Sequence, residues 1–110
     1  MSMVMETLQS LRDEGEILAP DVARVVGSHV RTVGRWKVGA SEPPNSKKQM
    51  LLHLQAAVRA ARKYMGRDQA WAWLHSPNPY LDHAAPLDLV ATDYRRVIAA
   101  LEAEAEGVYL

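Results

Sequence analysis

The 110-residue sequence contains no cysteine and no phenylalanine. Without cysteine, a disulfide framework, a zinc–cysteine site and a thiol nucleophile are all excluded. No segment approaches the run of about 18 apolar residues that spans a bilayer. Residues 1–15 also lack the basic and continuous apolar regions of a secretory signal. We therefore expect a soluble cytoplasmic protein that makes no use of a membrane.

Motifs for catalysis and metal binding are missing as well. The sequence has no glycine-rich phosphate loop, nucleophile elbow or paired-carboxylate arrangement. His75 and His83, with Asp82 beside the second, resemble a ligand set only loosely, because their spacing matches no recognised metal site. His29 is interpreted as facing phosphate or solvent, and His53 as lying on the flank of a helix. We predict a protein that is not an enzyme and uses no cofactor or metal ion.

The pattern of apolar residues favours an all-α protein. Alanine, leucine, glutamate and arginine are frequent, and little of the sequence alternates with period two. The predicted helices are one ended by Gly15, one from Pro20 to Gly27, one capped by Ser28 and ending near Gly39, a long one over 46–65, a short one over 68–75, a short piece after Pro86, and a last one from Thr92 or Asp93. Gly66 is the predicted boundary between a module of residues 1–66 and a module of residues 67–110.

The charges are unevenly distributed, although the formal net charge is zero. Residues 1–19 carry one basic and four acidic side chains, and residues 20–67 carry ten basic and two acidic. Residues 68–110 carry two basic and seven acidic side chains. A basic middle suggests a polyanionic partner and an acidic end suggests a basic one. The alternative is that both stretches are solvated faces without a partner.

Residues 19–38 have the pattern of a helix–turn–helix. Ala23 is small enough for two helices to touch, and Gly27 tolerates the positive φ of the turn. Val33 and Trp36 lie one turn apart, as needed to hold the second helix against the first. Plain scaffolding is the alternative to DNA binding, and a glycine at position 34 costs up to about 1 kcal/mol of helix propensity.

If the second helix enters a major groove, Val30, Val33 and Trp36 are expected to face inward. The side chains left to reach DNA are His29, Arg31, Thr32, Arg35 and Lys37. The two arginines are the predicted base readers, because arginine can pair with the O6 and N7 of guanine. Thr32, Lys37 and the pair Lys47-Lys48 suit phosphate contacts. A single motif binds weakly, so DNA binding implies a homodimer or a larger assembly.

The second half of the chain carries a more distinctive pattern. Its elements are Ala70, Trp73 and Leu74, then Pro77-Asn78 and Leu81, then Pro86-Leu87-Asp88-Leu89, Thr92, Val97 and Leu101. Taken singly, each has an ordinary role in a core, a turn or a helix cap. In this order and spacing they resemble the C-terminal domain of Xre/MbcA/ParS-type antitoxins. That resemblance covers nearly the whole chain, and implies an Xre-like helix–turn–helix domain over 1–66 and a toxin-binding domain over 67–110.

Membership of this family implies a type II toxin–antitoxin system of the RES–Xre kind. Its antitoxins are thought to inhibit a RES-domain toxin, which consumes NAD⁺, by covering the toxin's active site with their C-terminal region. The implied toxin-binding residues are Glu102, Glu106, Gly107, Val108, Tyr109 and Leu110. Glu102, Glu104 and Glu106 would face arginines of a phosphate-binding pocket, and Gly107 would release the last three residues, with Tyr109 as an anchor.

Other interpretations remain open from the sequence. Without the family, residues 108–110 would be regarded as a frayed, solvent-exposed end. The protein would then be a free-standing transcriptional regulator whose acidic module serves for dimerisation. A third possibility is a toxin inhibitor whose DNA-binding face has decayed. The family resemblance favours an antitoxin that binds its toxin and also its own operator DNA.

Overall fold

A computed structural model describes residues 2–107, which form seven α-helices and a short 3₁₀ turn. The helices are α1 (Met3–Gly15), α2 (Ala19–Val26), α3 (Val30–Lys37), α4 (Asn45–Tyr64), α5 (Arg67–His75), α6 (Pro86–Leu89) and α7 (Tyr94–Ala105), and the 3₁₀ turn Pro79–Leu81 lies between α5 and α6. The predicted all-α class is confirmed, since residues 2–107 contain no strand. Within that range, no helix is long and apolar enough to cross a membrane.

The turn between α2 and α3 is only partly as predicted. Gly27 has a φ of 68° and ends α2, as the sequence indicates. Ser28, however, does not cap α3, because its N–H completes the end of α2 by donating to the carbonyl of Ala23 at 3.0 Å. The cap is His29, whose Nδ1 accepts a hydrogen bond from the N–H of Arg31 at 3.2 Å. The predicted cap was therefore wrong by one residue.

Gly15 is the last residue of α1, but it is not the residue that turns the chain. Glu16 takes the left-handed conformation, with a φ of 54°, and its N–H donates to the carbonyl of Arg12. Gly15 is needed for a different reason, the close approach of α1 to α4. A Cβ atom at this position would lie 2.7 Å from Cγ1 of Val58, and a β-branched side chain has little rotamer freedom to move aside.

Two glycine-to-alanine substitutions are therefore expected to change stability in opposite directions. Gly15→Ala should lower the free energy of unfolding by about 1–3 kcal/mol, the usual cost of an overpacked core. Gly34→Ala should raise it by up to about 1 kcal/mol, the gain in helix propensity, because a Cβ atom there meets nothing within 4 Å. Urea unfolding followed by circular dichroism measures both. Equal effects of the two substitutions would contradict the account of Gly15.

One apolar core connects the two halves of the chain. It contains fully buried side chains of α4, such as Leu54 and Val58, together with Leu74 of α5, Leu87 of α6 and Val97 of α7. The long helix α4 packs against α1 on one side and against α7 on the other. The division at residue 66 stays a prediction. The packing shows that α1 and α7, which come from the two predicted modules, both contact α4.

The last helix begins after Asp93 rather than with a side-chain cap from Thr92. Of its predicted core residues, Val97 and Leu101 are buried, whereas Tyr94 and Ile98 are only half-buried. Beyond Ala105, Gly107 has a φ of 72°, so the chain leaves the helix axis there. The predicted contacts of Val108, Tyr109 and Leu110 lie outside the described residues.

Candidate functional sites at α3 and at the end of α7

Many cations of the basic middle are engaged within the chain. The ion pairs are Arg24 with Asp88 at 2.5 Å, Lys48 with Glu42 at 3.1 Å, Arg59 with Glu14 at 3.2 Å and Arg67 with Glu16 at 3.8 Å. Arg62 donates to the carbonyl of Glu14. Exposed pairs of this kind contribute about 0–1 kcal/mol each. Their main consequence is that the free positive charge covers far less of the surface than the sequence suggests.

Lys47 and Lys48, predicted as phosphate contacts, both have polar partners within the described chain. The Lys47 Nζ donates to the carbonyl of Gly27 at 3.1 Å and to Oγ of Ser28 at 2.5 Å. It therefore fastens the turn between α2 and α3 to the first turn of α4. Lys48 is held by Glu42. Lys47 therefore stabilises the support of α3, whereas the charge of Lys48 is paired with a carboxylate.

The second helix of the motif, α3, keeps its cations free. Arg31, Arg35 and Lys37 are exposed, and none forms an ion pair with another described residue. Arg31 and Arg35 are four residues apart and share one face of the helix. Lys37 points elsewhere and lines a groove with Leu8 and other residues of α1 and α2. The structure thus brings the two arginines together but separates Lys37 from them.

The inward-facing residues of α3 are fewer than predicted. Val33 and Trp36 are 2% and 3% exposed, as expected, but Val30 is 45% exposed. Val33 and Trp36 are the side chains that pack α3 against its neighbours, and Val30 lies outside that contact. Thr32 is half-buried beside the two arginines, and His29 is exposed while its ring caps the helix. Val30 thus adds an apolar side chain to the exposed surface of α3.

The end of α7 is the acidic counterpart of α3. Glu102, Glu104 and Glu106 are exposed and have no ion-pair partner within residues 2–107. Glu102 and Glu106 share a face, with Glu102 lining a groove between α4 and α7 and Glu106 at the helix end.

This acidic end is unfavourable for the helix itself. The last turn of α7 holds no basic side chain, while carboxylates near a helix C-terminus oppose the helix dipole by about 0.3–1 kcal/mol each. Two glutamates four residues apart also repel each other. Helix stability does not explain this arrangement, whereas a basic partner surface would relieve it.

His75 was considered as a metal ligand, and the structure places it in a different contact. Its Nε2 lies 2.9 Å from Oδ2 of Asp21, and its Nδ1 lies 2.7 Å from the carbonyl oxygen of Trp71. The ring stacks on the indole of Trp71, with centroids 3.8 Å apart. In the described part of the chain, no three His, Asp or Glu side chains are grouped as a metal site would require. His75 ties α5 to α2, as Arg24 and Asp88 tie α2 to α6.

Sequence reasoning missed this set of contacts and the groove between α4 and α7. The partners in each pair are far apart in the sequence, so no local spacing identifies them. The sequence signal for the groove was the position of two apolar residues on α7, Tyr94 and Ile98. Both lie beside the fully buried residues of that helix and are only half-buried.

Comparisons with known proteins agree with the geometry. Residues 60–107 match the family model described as the antitoxin Xre/MbcA/ParS C-terminal toxin-binding domain. The matched range begins inside α4 and ends at the turn after α7.

Whole-chain relatives extend this match to the N-terminal half. The chain is 40% identical, over 82% of its length and 80% of theirs, to the mycobacterial cidal antitoxins MbcA of Mycobacterium tuberculosis and Mycobacterium bovis. It is 30% identical, over 96% of its length and 90% of the relative, to a probable mycobacterial cidal antitoxin of M. tuberculosis. A chain in the crystal structure of the M. tuberculosis MbcT–MbcA toxin–antitoxin complex superposes with a TM-score of 0.84 at 33% identity, covering both chains completely. Together with the exposed acidic end of the matched domain, these similarities show that the protein belongs to the Xre/MbcA/ParS antitoxin family.

Proposed function

We propose that this protein neutralises a cognate toxin by inserting the end of α7 and residues 107–110 into the toxin's active site. The observation that carries the proposal is the acidic end of α7, which has no ion-pair partner among the described residues. Its charges weaken the helix, and a basic partner surface would offset them. The similar chain in the MbcT–MbcA complex is bound to a toxin of its own. By analogy, the partner is an MbcT-like RES-domain toxin that consumes NAD⁺.

The fold suits this task because it fixes the position of α7. Val97 and Leu101 are buried against α4, so the helix is held along its inner face. Glu106 then stands at the open end, and Gly107 redirects the chain with its φ of 72°. If the pocket that binds the phosphates of NAD⁺ contains cationic side chains, charge-assisted hydrogen bonds from them to Glu106 would orient the segment. Tyr109 would supply an apolar ring with a polar tip as the anchor.

The direct test is NAD⁺ consumption by the toxin encoded beside this gene. An equimolar amount of the full chain should stop the reaction, while the chain alone should consume no NAD⁺. The toxin and this chain should also co-elute from a sizing column. If the toxin remains fully active with the chain in excess, the proposed neutralisation is wrong. The alternative function, transcriptional regulation, would then be favoured.

A second function, binding to operator DNA, is favoured by a separate observation. Arg31 and Arg35 are exposed side by side on α3, and Lys47 fastens the turn that positions this helix. Arginine side chains presented together on a supported helix suit bidentate pairing with guanine. We infer that the protein also regulates its own operon through this helix. Thr32 would lie at the edge of the contact with DNA, and Lys37 would contact a backbone phosphate and no base.

A further inference from the structure

The groove that Lys37 lines is a feature that the proposed contacts with toxin and operator leave unexplained. It lies between the second half of α1, the segment that joins α1 to α2, the first turn of α2, and the side chains of Val33 and Lys37 on α3. We call it the α1–α3 groove. Its volume is about 280 Å³, just below the range of about 300–1,000 Å³ that is typical of small-molecule sites.

The floor of the α1–α3 groove is apolar. Leu8, Ile17 and Val22 line it, and each is at most 8% exposed. Leu18 and Pro20 line its edge and are exposed. A stable protein interface needs about 800 Å² of each partner, and two exposed apolar side chains supply only a small part of that area. The groove therefore suits a small apolar molecule better than a protein.

The charge of the groove is opposite to that of the segment that forms much of it. Residues 1–19 carry four acidic side chains and a single basic one. That basic side chain, Arg12, lines the groove together with Lys37. Among the described residues, no acidic side chain lines it. Two cations beside an apolar floor are complementary to an anion with an apolar body.

Arg12 lacks an acidic partner although three carboxylates follow it within four residues. Each of these carboxylates has a different partner, namely Gln9 for Asp13 at 3.0 Å, Arg59 for Glu14 at 3.2 Å and Arg67 for Glu16 at 3.8 Å. Arg12 and Lys37 are both exposed, and neither forms an ion pair within residues 2–107. The packing thus engages the neighbouring acids and leaves both cations available to a ligand.

We propose that the α1–α3 groove binds a small apolar carboxylic acid in its ionised form. The hydrocarbon part of the ligand lies on the apolar floor, where burial of its methylene groups contributes to affinity. Its carboxylate faces Arg12 and Lys37, which donate charge-assisted hydrogen bonds to it. The site needs neither the end of α7 nor the arginine face of α3.

Occupation of the groove also has a consequence for α3, which forms one of its walls. Lys37 is proposed above to contact a DNA phosphate, and its ammonium group cannot serve that phosphate and the ligand carboxylate equally well. A saturating ligand should therefore weaken DNA binding about as much as Lys37→Ala does. This consequence rests on the proposed operator binding, whereas the binding of the acid does not.

Titration of the ¹⁵N-labelled full chain with octanoate, followed through its amide chemical shifts, tests the proposal. We expect saturable shifts at Leu8, Val22 and Val33, which belong to three helices but line one groove. A single exposed ion pair contributes up to about fivefold in affinity. 1-Octanol, which has the same hydrocarbon chain without the charge, should therefore bind at least about fivefold more weakly. Acetate, which has the charge without the chain, should give no saturable shift at these residues.

Substitutions separate the contribution of charge from that of the apolar floor. Arg12→Gln and Lys37→Gln should each weaken the binding of octanoate by about two- to fivefold and leave that of 1-octanol unchanged. Lys63→Gln, an exposed lysine of α4, is the matched control and should change neither. Ala19→Leu, which fills part of the groove, should weaken both ligands. If Ala19→Leu fails to fold, the charge variants still decide, because Arg12 and Lys37 are exposed.

Three results would overturn the proposal. Equal binding of octanoate and 1-octanol would mark the groove as an apolar surface without selectivity for an acid, as the contact of a protein partner would be. Shifts that do not saturate would indicate no defined site. Equal losses in Arg12→Gln and Lys63→Gln would indicate general attraction to positive charge. The titration contains neither toxin nor DNA, so its outcome is independent of whether the proposed function holds.

Discussion

A chain shortened to end at Glu106 is expected to fold like the full chain and to lose inhibition of the toxin. The fold should survive because, within residues 2–107, the last buried side chain is that of Ala103, and Gly107 is exposed. Removal of one aromatic interface anchor costs at least about 2 kcal/mol. The inhibition constant for NAD⁺ consumption should therefore rise by roughly 30-fold or more. Thermal unfolding of both chains measures the expected equality of stability.

Two single substitutions divide this effect into its parts. Tyr109→Ala should reproduce most of the loss if the ring is the anchor. Glu106→Gln should weaken inhibition less than Tyr109→Ala does, because it removes only one charge that solvent screens. Its effect should be larger at low salt, where this screening is weaker. Glu6→Gln, an exposed carboxylate in the first turn of α1, is the matched control and should have no effect on inhibition. Equal inhibition by the shortened and full chains would place the blocking surface on the helices and remove the role of the last four residues.

The sequence predicted well those features that depend on nearest neighbours along the chain. Helical spacing located all the long helices, and Gly27 ended α2 because only a residue that accepts a positive φ fits there. Asn78, one of the pattern residues for which an ordinary role in a core, a turn or a cap is expected, accepts a hydrogen bond from the N–H of Tyr80 at 2.9 Å. Each of these depends on atoms only a few residues apart.

Features that depend on packing between distant segments were not predictable in the same way. Gly15 is the last residue of α1, as predicted. The reason that this position needs a glycine is the close approach of Val58, more than forty residues away in the sequence. Lys47 is predicted from the sequence as a phosphate contact, and the sequence could not show that its Nζ donates to the carbonyl of Gly27, twenty residues away. Val30 was predicted to be buried from its spacing alone, whereas its side chain is 45% exposed. Charge, spacing and propensity do not specify which segment becomes a neighbour.

The same distinction applies to the candidate sites. The sequence identified Arg31 and Arg35 as one face of a helix, and the structure places them on an exposed face with no competing carboxylate among the described residues. It could not show that most other cations of the basic middle are already bound. The family resemblance, and not periodicity, supplied the interpretation of the acidic end. The groove beside it became apparent only from the packing of α7 on α4.

The interpretation of α3 leads to a second large expected effect. Replacing both Arg31 and Arg35 with alanine should abolish preference for the operator over random DNA. Each bidentate arginine–guanine contact contributes about 1–3 kcal/mol of discrimination, so the double variant should lose about 2–6 kcal/mol if the sites act independently. Because both side chains are exposed and form no ion pair within residues 2–107, the free energy of unfolding should stay near that of the wild type. Fluorescence anisotropy with operator and scrambled duplexes at several salt concentrations measures this preference.

Lys37→Ala and Lys63→Ala are the comparison variants, since each removes one positive charge without touching the arginine face. Lys37→Ala should weaken binding to both duplexes alike and reduce the salt dependence by about one phosphate contact. Lys63→Ala should do neither, as Lys63 lies on α4 beside the groove between α4 and α7. A wild type that binds operator and scrambled DNA equally, with the double arginine variant unchanged, would mean that α3 is scaffolding. In that case its exposed arginines serve no sequence recognition, and the protein acts on the toxin alone.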